Sequence, residues 1–414
     1  MYVTSNFSPI SMKHQGLAGM ATLPPVLPAM NTLSPLHKVH RVGLVGTGFI
    51  ASGFARLLTR KGGDLLLSSV LSRRTPAQAA GLAFEDHLTT SIDELLDSSD
   101  VIIECSGDVL HSTEVINRAV LAGKPVITMN SEFHVTTGSY FVGKGLVTEA
   151  EGDQPGCLAA LHEEADAMGF RPVVYGNMKG FLNHHPDPEE MKYWSGKQGI
   201  SLAQTTSFTD GTKIQIEQAF VANAFGATIT RQGLEGPEAS DLNTTAFSLA
   251  EKAMALGSPI ADYVLAPGKV AGVFVVCTHD DADRSALRYL KMGDGPFYLL
   301  LKNYHLCQYE ILKTVRRVLS GGGALLTNSA KPTISVVGIA KRDMPAGTHI
   351  ARAIGSFQVR GEAARIQDVR GHVPIGLLQN AVTRRNVLAG QVIGFEDVDL
   401  PDSLAHTIAR SIFA

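Results

Sequence analysis

The feature that most constrains the fold of this 414-residue chain is a short glycine turn, Gly46-Thr47-Gly48-Phe49-Ile50-Ala51. It follows the apolar run Arg41–Val45 and opens a helical pattern over 49–60. In a strand–turn–helix unit, Gly46 permits the tight turn and Gly48 lets a pyrophosphate approach the backbone. The phosphates then meet free N–H groups at the helix N-terminus. The pattern predicts a dinucleotide site, and the alternative is a tight turn that binds no ligand.

Strand-like and helix-like segments alternate after this turn. We predict strands at Arg41–Val45, Leu65–Leu71, Val101–Cys105, Pro125–Met129 and Arg171–Tyr175. Helices are predicted at Phe49–Arg60, Ile92–Leu96 with Ser91 as N-cap, Thr113–Ala122 and 155–168. Because the strands are almost continuously apolar and alternate with helices, the fold class is α/β with a doubly wound parallel Rossmann sheet.

The segments on either side of the parallel sheet differ in character. Dense prolines make residues 1–38 an N-terminal arm, and residues 39–178 form the dinucleotide-binding domain. Residues 179–320 are predicted as an α+β substrate domain, which ends near the linker Ser320–Gly323. Residues 331–414 contain two similar segments, Ala340–Gly347 and Thr383–Gly390, and resemble a C-terminal SAF-like β domain.

Composition narrows the class of partner. The formal net charge is −3 and 44% of the residues are hydrophobic, which favours a small-molecule substrate over nucleic acid or a membrane surface. The four cysteines lack CxxC spacing, and no apolar run reaches the roughly 18 residues of a membrane span. With no recognisable secretory signal, the expected location is the cytoplasm. Three fused modules and an arm favour a homo-oligomer.

The residues after the second and third recognisable strands set the cofactor prediction. Ser72-Arg73-Arg74 stands where an NAD site usually has an acidic residue for the ribose hydroxyl, so two guanidinium groups favour NADP(H) over NAD(H). The alternative is a pair of solvated arginines that leaves this selectivity undecided. Ser106 and Gly107 end the next strand and are expected to flank the nicotinamide ribose.

The best catalytic candidate is Asp210-Gly211-Thr212-Lys213-Ile214-Gln215-Ile216-Glu217. Its alternation predicts a strand over 213–217, preceded by another at 204–208 and followed by a helix over 218–225. Lys213, Gln215 and Glu217 then share one face with Asp210 nearby, a wall suited to a polyhydroxylated, partly anionic substrate. The alternative is an amphipathic edge strand with solvated charges.

Several motifs together resemble one family. Phe208–Lys213 with Glu217, Gly293–Tyr298 with Tyr304-His305-Leu306, Gly176–Gly180 and Pro374–Leu378 are similar to the NAD(P)-dependent, homoserine-dehydrogenase-like oxidoreductases that carry a SAF domain. Homoserine dehydrogenases carry a catalytic lysine in Thr-Ala-Asn-Lys, whereas this chain has Ser131 there. The resemblance therefore points to the 1-deoxy-D-xylulose 5-phosphate reductoisomerase-like (DRL) enzymes of isoprenoid biosynthesis.

Charge and position in the predicted fold suggest roles for five residues. Lys179, at a strand end, and Lys213 are candidates for protonating a carbonyl or stabilising an alkoxide. Asp210 and Glu217 would orient hydroxyls or contribute to holding a divalent cation. The sequence does not identify a complete set of metal ligands. His305 would bind an anion or shuttle a proton, although a lone histidine is more often structural.

Three functions remain open from the sequence. The first is an NADPH-dependent reductoisomerase that converts a phosphorylated α-hydroxy ketose to a branched polyol phosphate, anchored by Lys179, Lys213, Lys302 and His305. The second is an NAD(P)-dependent dehydrogenase or oxidoisomerase of a branched sugar acid. The third is a non-enzymatic SAF-type binding module.

Overall fold

Strands and helices alternate through the first part of the chain. The computed structural model describes residues 38–74, 78, 81, 84–268 and 271–413, so the predicted arm, apart from Lys38, lies outside the described residues. The first strands are β1 (His40–Val45), β2 (Leu65–Leu71), β3 (Leu88–Thr89), β4 (Val101–Glu104), β5 (Val126–Thr128) and β6 (Val147–Glu149). The helices are α1 (Phe49–Lys61), α2 (Ile92–Ser98), α3 (Val109–Leu121), α4 (Ser131–Thr136) and α5 (Gln154–Ala167).

Within the described residues these strands form a six-stranded sheet in the order β3-β2-β1-β4-β5-β6. Every pair in it is parallel. Apolar clusters cover its two faces, one containing Val42, Leu44 and Ile103 and the other Val45 and Ile102. The predicted doubly wound parallel sheet is confirmed, and its strand order reverses between β1 and β4, where such sheets bind ligands.

A second sheet follows, with mixed pairing. Its strands are β7 (Arg171–Lys179), β8 (Ile260–Leu265), β9 (Gly272–Thr278) and β10 (Tyr298–Lys302), in the order β10-β9-β7-β8. The prediction that Arg171–Tyr175 closes the parallel sheet is wrong, because β7 pairs only with β8 and β9 among the described strands. The parallel sheet ends instead with β6, which is three residues long.

The helices of this region are α6 (Pro188–Gln198), α7 (Leu202–Thr209), α8 (Thr212–Ala224), α9 (Leu242–Leu256), α10 (Arg284–Tyr289) and α11 (Cys307–Leu319). The predicted strands at 204–208 and 213–217 are therefore wrong. A capping box between Ser201 and Gln204 starts α7 as a helix. In α8, nearly every residue from Ile214 to Asn223 is buried, so no polar face reveals the helical period in the sequence.

The C-terminal region is mainly β structure. It contains β11 (Ile334–Ala340), β12 (His349–Ile350), β13 (Val359–Arg365), β14 (Ala381–Thr383), β15 (Val398–Asp399) and α12 (Leu404–Phe413). The two similar segments pair reciprocally, since the Ala346 N–H donates to Asn386 Oδ1 at 3.0 Å and the Ala389 N–H to Asp343 Oδ1 at 2.8 Å.

One apolar cluster runs from the second sheet into the C-terminal strands and joins, for example, Phe220 and Val275 to Val336 and Ile393. Residues from Val39 onward form one compact unit. The predicted boundaries at 320 and 331 therefore separate segments that share a core. None of the described helices has the length and apolar character needed to cross a membrane.

Candidate active site

Lys213 lies at the centre of a cluster of carboxylates. Helix α8 presents Lys213 and Glu217 one turn apart on the same face. The Lys213 Nζ is 3.2 Å from Glu132 Oε1, at the start of α4, and 3.5 Å from Asp153 Oδ2, at the N-cap of α5. Burial alone would lower the pKa of Lys213, but the carboxylates of Asp153 and Glu132 raise it well above its usual range. Lys213 is therefore a fixed positive charge.

Glu217 forms the second half of the cluster. Its Oε2 accepts a hydrogen bond from Asn177 Nδ2 at 2.9 Å and lies 3.5 Å from Lys179 Nζ. Both partners come from the end of β7. Burial raises the pKa of Glu217 to about 7, although the Lys179 ammonium opposes the shift. A carboxyl that titrates near neutral pH is suited to proton transfer.

Asp153, a partner of Lys213, belongs to a group of buried polar side chains. The Ser131 hydroxyl lies 3.0 Å from Asp153 Oδ2 and 3.2 Å from Glu149 Oε1. Glu149 and His134 are fully buried and their side chains are 3.3 Å apart. Burial raises the pKa of Glu149 well above its usual range and lowers that of His134 to about 3. His134 is therefore uncharged at neutral pH, and burial favours the protonated form of Glu149.

The structure places His305 beside this cluster. It precedes α11, and burial lowers its pKa while the charge of Asp153 acts in the opposite direction. Its Nδ1 lies 3.9 Å from Cys307 Sγ. The predicted residues Lys179, Lys213, Glu217 and His305 thus come together, from β7, α8 and the loop before α11.

Two other predicted groups face elsewhere. Asp210 is buried at the junction of α7 and α8, where its carboxylate accepts from the Thr212 N–H at 2.8 Å and from Lys341 Nζ at 2.6 Å. It does not share a face with Lys213, which corrects the predicted wall. Lys302, a predicted anchor for an anion, is held at 3.0 Å by Glu151 and at 2.7 Å by Glu310.

The glycine turn has the geometry that a dinucleotide needs. Gly46 has φ +101°, and a Cβ there would lie 2.9 Å from the carbonyl oxygen of Cys105. A Cβ on Gly48 would meet nothing within 4 Å. Helix α1 begins at Phe49 without a side-chain cap, whereas α2, α3, α5 and α6 each begin with one. Open space at an uncapped helix N-terminus fits a pyrophosphate.

The other cofactor candidates surround this turn. Ser106 lies against it, because the Cβ built on Gly46 is 3.1 Å from Ser106 Cα, and Gly107 follows with φ +64° over open space. Thr47 is nearly buried, Phe49 is half exposed, and Ile50 packs on the core beside β1. The predicted group thus lies at one edge of the parallel sheet.

Arg73 and Arg74 point to different places. The Arg73 guanidinium lies 2.9 Å from Asp108 Oδ2, the N-cap of α3. Arg74 lines an open cleft of about 260 Å³ at the ends of β2 and β3, together with Ser72, Leu88, Thr89, Thr90 and Glu94. Of the two arginines, Arg74 is the one placed to meet a group in this cleft.

Several groups of the cluster are not predicted from the sequence, namely Glu132, His134, Glu149, Asp153 and Asn177. Glu149 ends β6 and Asp153 follows that strand at the ligand-binding edge, but a strand of three residues is too short to show a sequence pattern. The described residues contain no group of three or more His, Cys, Asp or Glu side chains that could hold a metal ion.

Two family models match the regions that contain the glycine turn and the cluster, and both indicate a nicotinamide-dependent oxidoreductase. Residues 46–140 match the NAD-binding domain of homoserine dehydrogenase. Residues 152–311 match the catalytic domain of oxidoreductase DRL, a range that includes Asp153, Lys179, Lys213, Glu217 and His305. The chain therefore matches these two domain models in succession, which confirms the predicted resemblance except for its SAF domain. Residues beyond 311 lie outside both matches.

Individual relatives are more distant. An inositol 2-dehydrogenase of Cereibacter sphaeroides is 31% identical over 142 residues, which are 34% of this chain and 36% of that one. The chain thus matches about a third of the length of this curated relative. A solved homoserine dehydrogenase from Thiobacillus denitrificans covers 86% of this chain and 98% of its own, at 14% identity and a TM-score of 0.45. The UDP-N-acetylglucosamine 3-dehydrogenase GnnA from Acidithiobacillus ferrooxidans covers 70% and 91%, at 12% identity and a TM-score of 0.41.

Proposed function

We propose that this protein is an NAD(P)-dependent oxidoreductase that interconverts an alcohol and a carbonyl group on a polyhydroxylated small molecule. The observation that carries the proposal is the pair of Lys213 and Glu217 on one face of α8, against residues from the ligand-binding edge of the parallel sheet. Neighbouring strands lie about 4.8 Å apart, so β5, which leads to Glu132, is about 10 Å from β1 and its glycine turn. That span suits a nicotinamide ring that extends from a pyrophosphate at the turn.

The two residues have different roles. Lys213 keeps its proton at neutral pH, so it stabilises the alkoxide oxygen by its charge rather than by proton exchange. Glu217, with a pKa of about 7, takes the hydroxyl proton when the alcohol is oxidised and returns it when the carbonyl is reduced. Lys179 and Asn177 hold the Glu217 carboxylate during this exchange. The nicotinamide, when bound, accepts or supplies the hydride.

The residues of the turn fit the dinucleotide. The α1 amides and the open face of Gly48 would hold its pyrophosphate, and Ser106 and Gly107 would border the nicotinamide ribose. We propose NADP(H) as the preferred form, with Arg74 in the cleft as the ligand of the 2′-phosphate. Arg74→Ala should weaken NADPH binding much more than NADH binding, while Arg73→Ala, which releases Asp108, is the matched control. Equal losses for both cofactors in Arg74→Ala would contradict this assignment.

Two substrate classes remain candidates. The match to oxidoreductase DRL favours the reductoisomerase of a phosphorylated α-hydroxy ketose, the reaction type of isoprenoid biosynthesis. The charges of the site favour a less anionic polyol or sugar acid, because Lys179, Lys213 and Lys302 each face a carboxylate. Burial lowers the pKa of His305, so it adds no charge at neutral pH. We rank the polyol or sugar acid first on this ground.

Turnover assays separate the two classes. The purified full chain is given NAD⁺ or NADP⁺ with polyols and aldonates, and NADH or NADPH with 1-deoxy-D-xylulose 5-phosphate, each with and without Mg²⁺ or Mn²⁺. Nicotinamide absorbance reports turnover, and Lys213→Ala provides the blank. Turnover of the ketose phosphate alone would reverse the ranking. If neither class is turned over and no pyridine nucleotide binds, the proposed function is wrong.

The C-terminal region and the assembly add two finer proposals. The reciprocal pairing of the segments around Met344 and Val387 supports a SAF-type domain. A homo-oligomer remains a prediction from the modular sequence, and sedimentation of the full chain tests it.

A further inference from the structure

We propose that Lys341, in the C-terminal β region, is a positioning residue that holds the first turn of α8 and thereby fixes Lys213 in the site. This inference rests on the proposed function. Neither matched domain range includes Lys341, which lies 131 positions after its partner Asp210. The C-terminal region would then take part in catalysis without contributing a group that touches substrate.

The contact is a buried ion pair in which the ammonium group makes two hydrogen bonds. The Lys341 Nζ donates to Asp210 Oδ2 and to the carbonyl oxygen of Ser356, both at 2.6 Å. The side chains are 4% and 0% exposed, so solvent cannot replace either partner. Removing one member of such a pair leaves an uncompensated buried charge, whereas removing both is far less disruptive.

Asp210 connects the ion pair with Lys341 to the start of α8. The N-cap of α8 is Gly211, at φ 85° and without a side-chain cap. Asp210 provides the side-chain cap that Gly211 lacks, because its Oδ1 accepts the Thr212 N–H at 2.8 Å. A carboxylate at a helix N-terminus also interacts favourably with the helix dipole. Lys213 follows directly after Thr212, so its stem leaves the turn that Asp210 holds.

Two further contacts tie the same turn to the C-terminal strands. The Gly361 N–H donates to Thr212 Oγ1 at 2.9 Å, and the Ala363 N–H donates to Gln215 Oε1 at 2.8 Å. Helix α8 thus has one polar edge bonded to β13 and the Lys341 loop, while Lys213 faces Glu132 and Asp153. Thr212 and Gln215, which bond to the C-terminal strands, therefore lie in the same helical turn as Lys213.

The experiment compares Lys341→Met, Lys341→Arg, the double variant Asp210→Asn with Lys341→Met, and Arg342→Met as the control at the neighbouring exposed cation. Two readouts are used. The first is kcat, together with the affinity for NADPH. The second needs no substrate: the lysines are reductively methylated with a ¹³C label, and the NMR titration of Lys213 is followed, with Lys213→Arg for its assignment.

Lys341→Met should lower kcat by about 10- to 100-fold, because a displacement of about 1 Å is enough for such a loss. NADPH affinity should stay unchanged, and the titration of Lys213 should move down toward its ordinary range. Lys341→Arg should recover most of the activity, and Arg342→Met should behave as the wild type. If Lys341→Met fails to fold, the double variant, which leaves no buried charge unpaired, should fold and still show both effects.

Wild-type kcat and an unshifted Lys213 titration in either folded variant would overturn the positioning role and leave Lys341 as a purely structural ion pair. Absence of turnover in the wild type would instead count against the proposed function. In that case the titration of Lys213 still decides the positioning role, so the two failures are distinguishable.

Discussion

Replacing Glu217 with Gln tests the chemistry of the site through its stability. The carboxyl is 1% exposed, and its pKa is about 7 in the folded protein against an ordinary value of 4.5. A carboxyl whose pKa rises on folding contributes most below its unfolded pKa, and this contribution is lost as pH rises through the folded value. At about 1.4 kcal/mol per pKa unit, ionisation of Glu217 should lower the wild-type free energy of unfolding by about 2.5 kcal/mol as the pH rises from about 5 to about 8.

Urea unfolding at several pH values measures this effect, with fluorescence of Trp194, the single tryptophan, as the signal. The stability of Glu217→Gln relative to the wild type should rise with pH, and the comparison cancels other groups such as His134. Glu310→Gln is the control, because the Lys302 and Lys313 ammonium groups hold the pKa of Glu310 at about 2 against the effect of burial. Its difference from the wild type should stay constant over this pH range, since the carboxyl is ionised throughout.

Parallel stability curves for the wild type and Glu217→Gln would refute the raised pKa, and with it the role of Glu217 as the proton carrier. The same ionisation should appear in catalysis. The pH profile of kcat/KM should show a titration near pH 7 for the wild type. That titration should be absent from Glu217→Gln.

Three further predictions concern other parts of the site. Lys213→Ala should lower kcat by about 10²- to 10³-fold with little change in NADPH affinity, whereas Lys192→Ala on the exposed face of α6 should leave kcat unchanged, as steady-state assays can show. Gly48→Ala should keep the thermal midpoint but weaken NADPH binding in a titration, while Gly46→Ala, at φ +101°, should cost about 1–3 kcal/mol in unfolding experiments. The free energy of unfolding of Glu149→Gln should lie within about 1 kcal/mol of the wild-type value at neutral pH, because burial raises the pKa of this carboxyl and favours the uncharged form that an amide resembles; a large loss would show that it is ionised.

The nucleotide half of the molecule could be predicted from local sequence. A strand, a glycine turn and a helix follow one another within about twenty residues around Gly46, and each carries its own signal. The N-cap at Ser91 is also local, and its side chain accepts from the Glu94 N–H as expected. Features of this kind need no information about distant parts of the chain.

The catalytic half depended on contacts that the sequence does not display. Lys213 and Glu217 were assigned to one face of a strand, and they do share a face, but because positions i and i+4 of a helix are neighbours. Gln215 separates the two interpretations, since on the helix it points away from Lys213 and accepts from the Ala363 N–H. The prediction failed because a helix buried on almost every side lacks the polar stripe from which a period is read.

The charge distribution links the geometry to the choice of substrate. The ammonium group of Lys213 faces the carboxylates of Glu132 and Asp153, and that of Lys179 faces Glu217, whose pKa is about 7. When Glu217 takes up a proton, the two lysine ammonium groups are balanced by the carboxylates of Glu132 and Asp153. This balance makes abstraction of a hydroxyl proton by Glu217 electrostatically favourable. A phosphate group bound at this cluster would instead add negative charge that no member of it offsets. An uncharged polyol should thus bind with an affinity that changes little with ionic strength, whereas strong weakening by salt would indicate an anionic substrate.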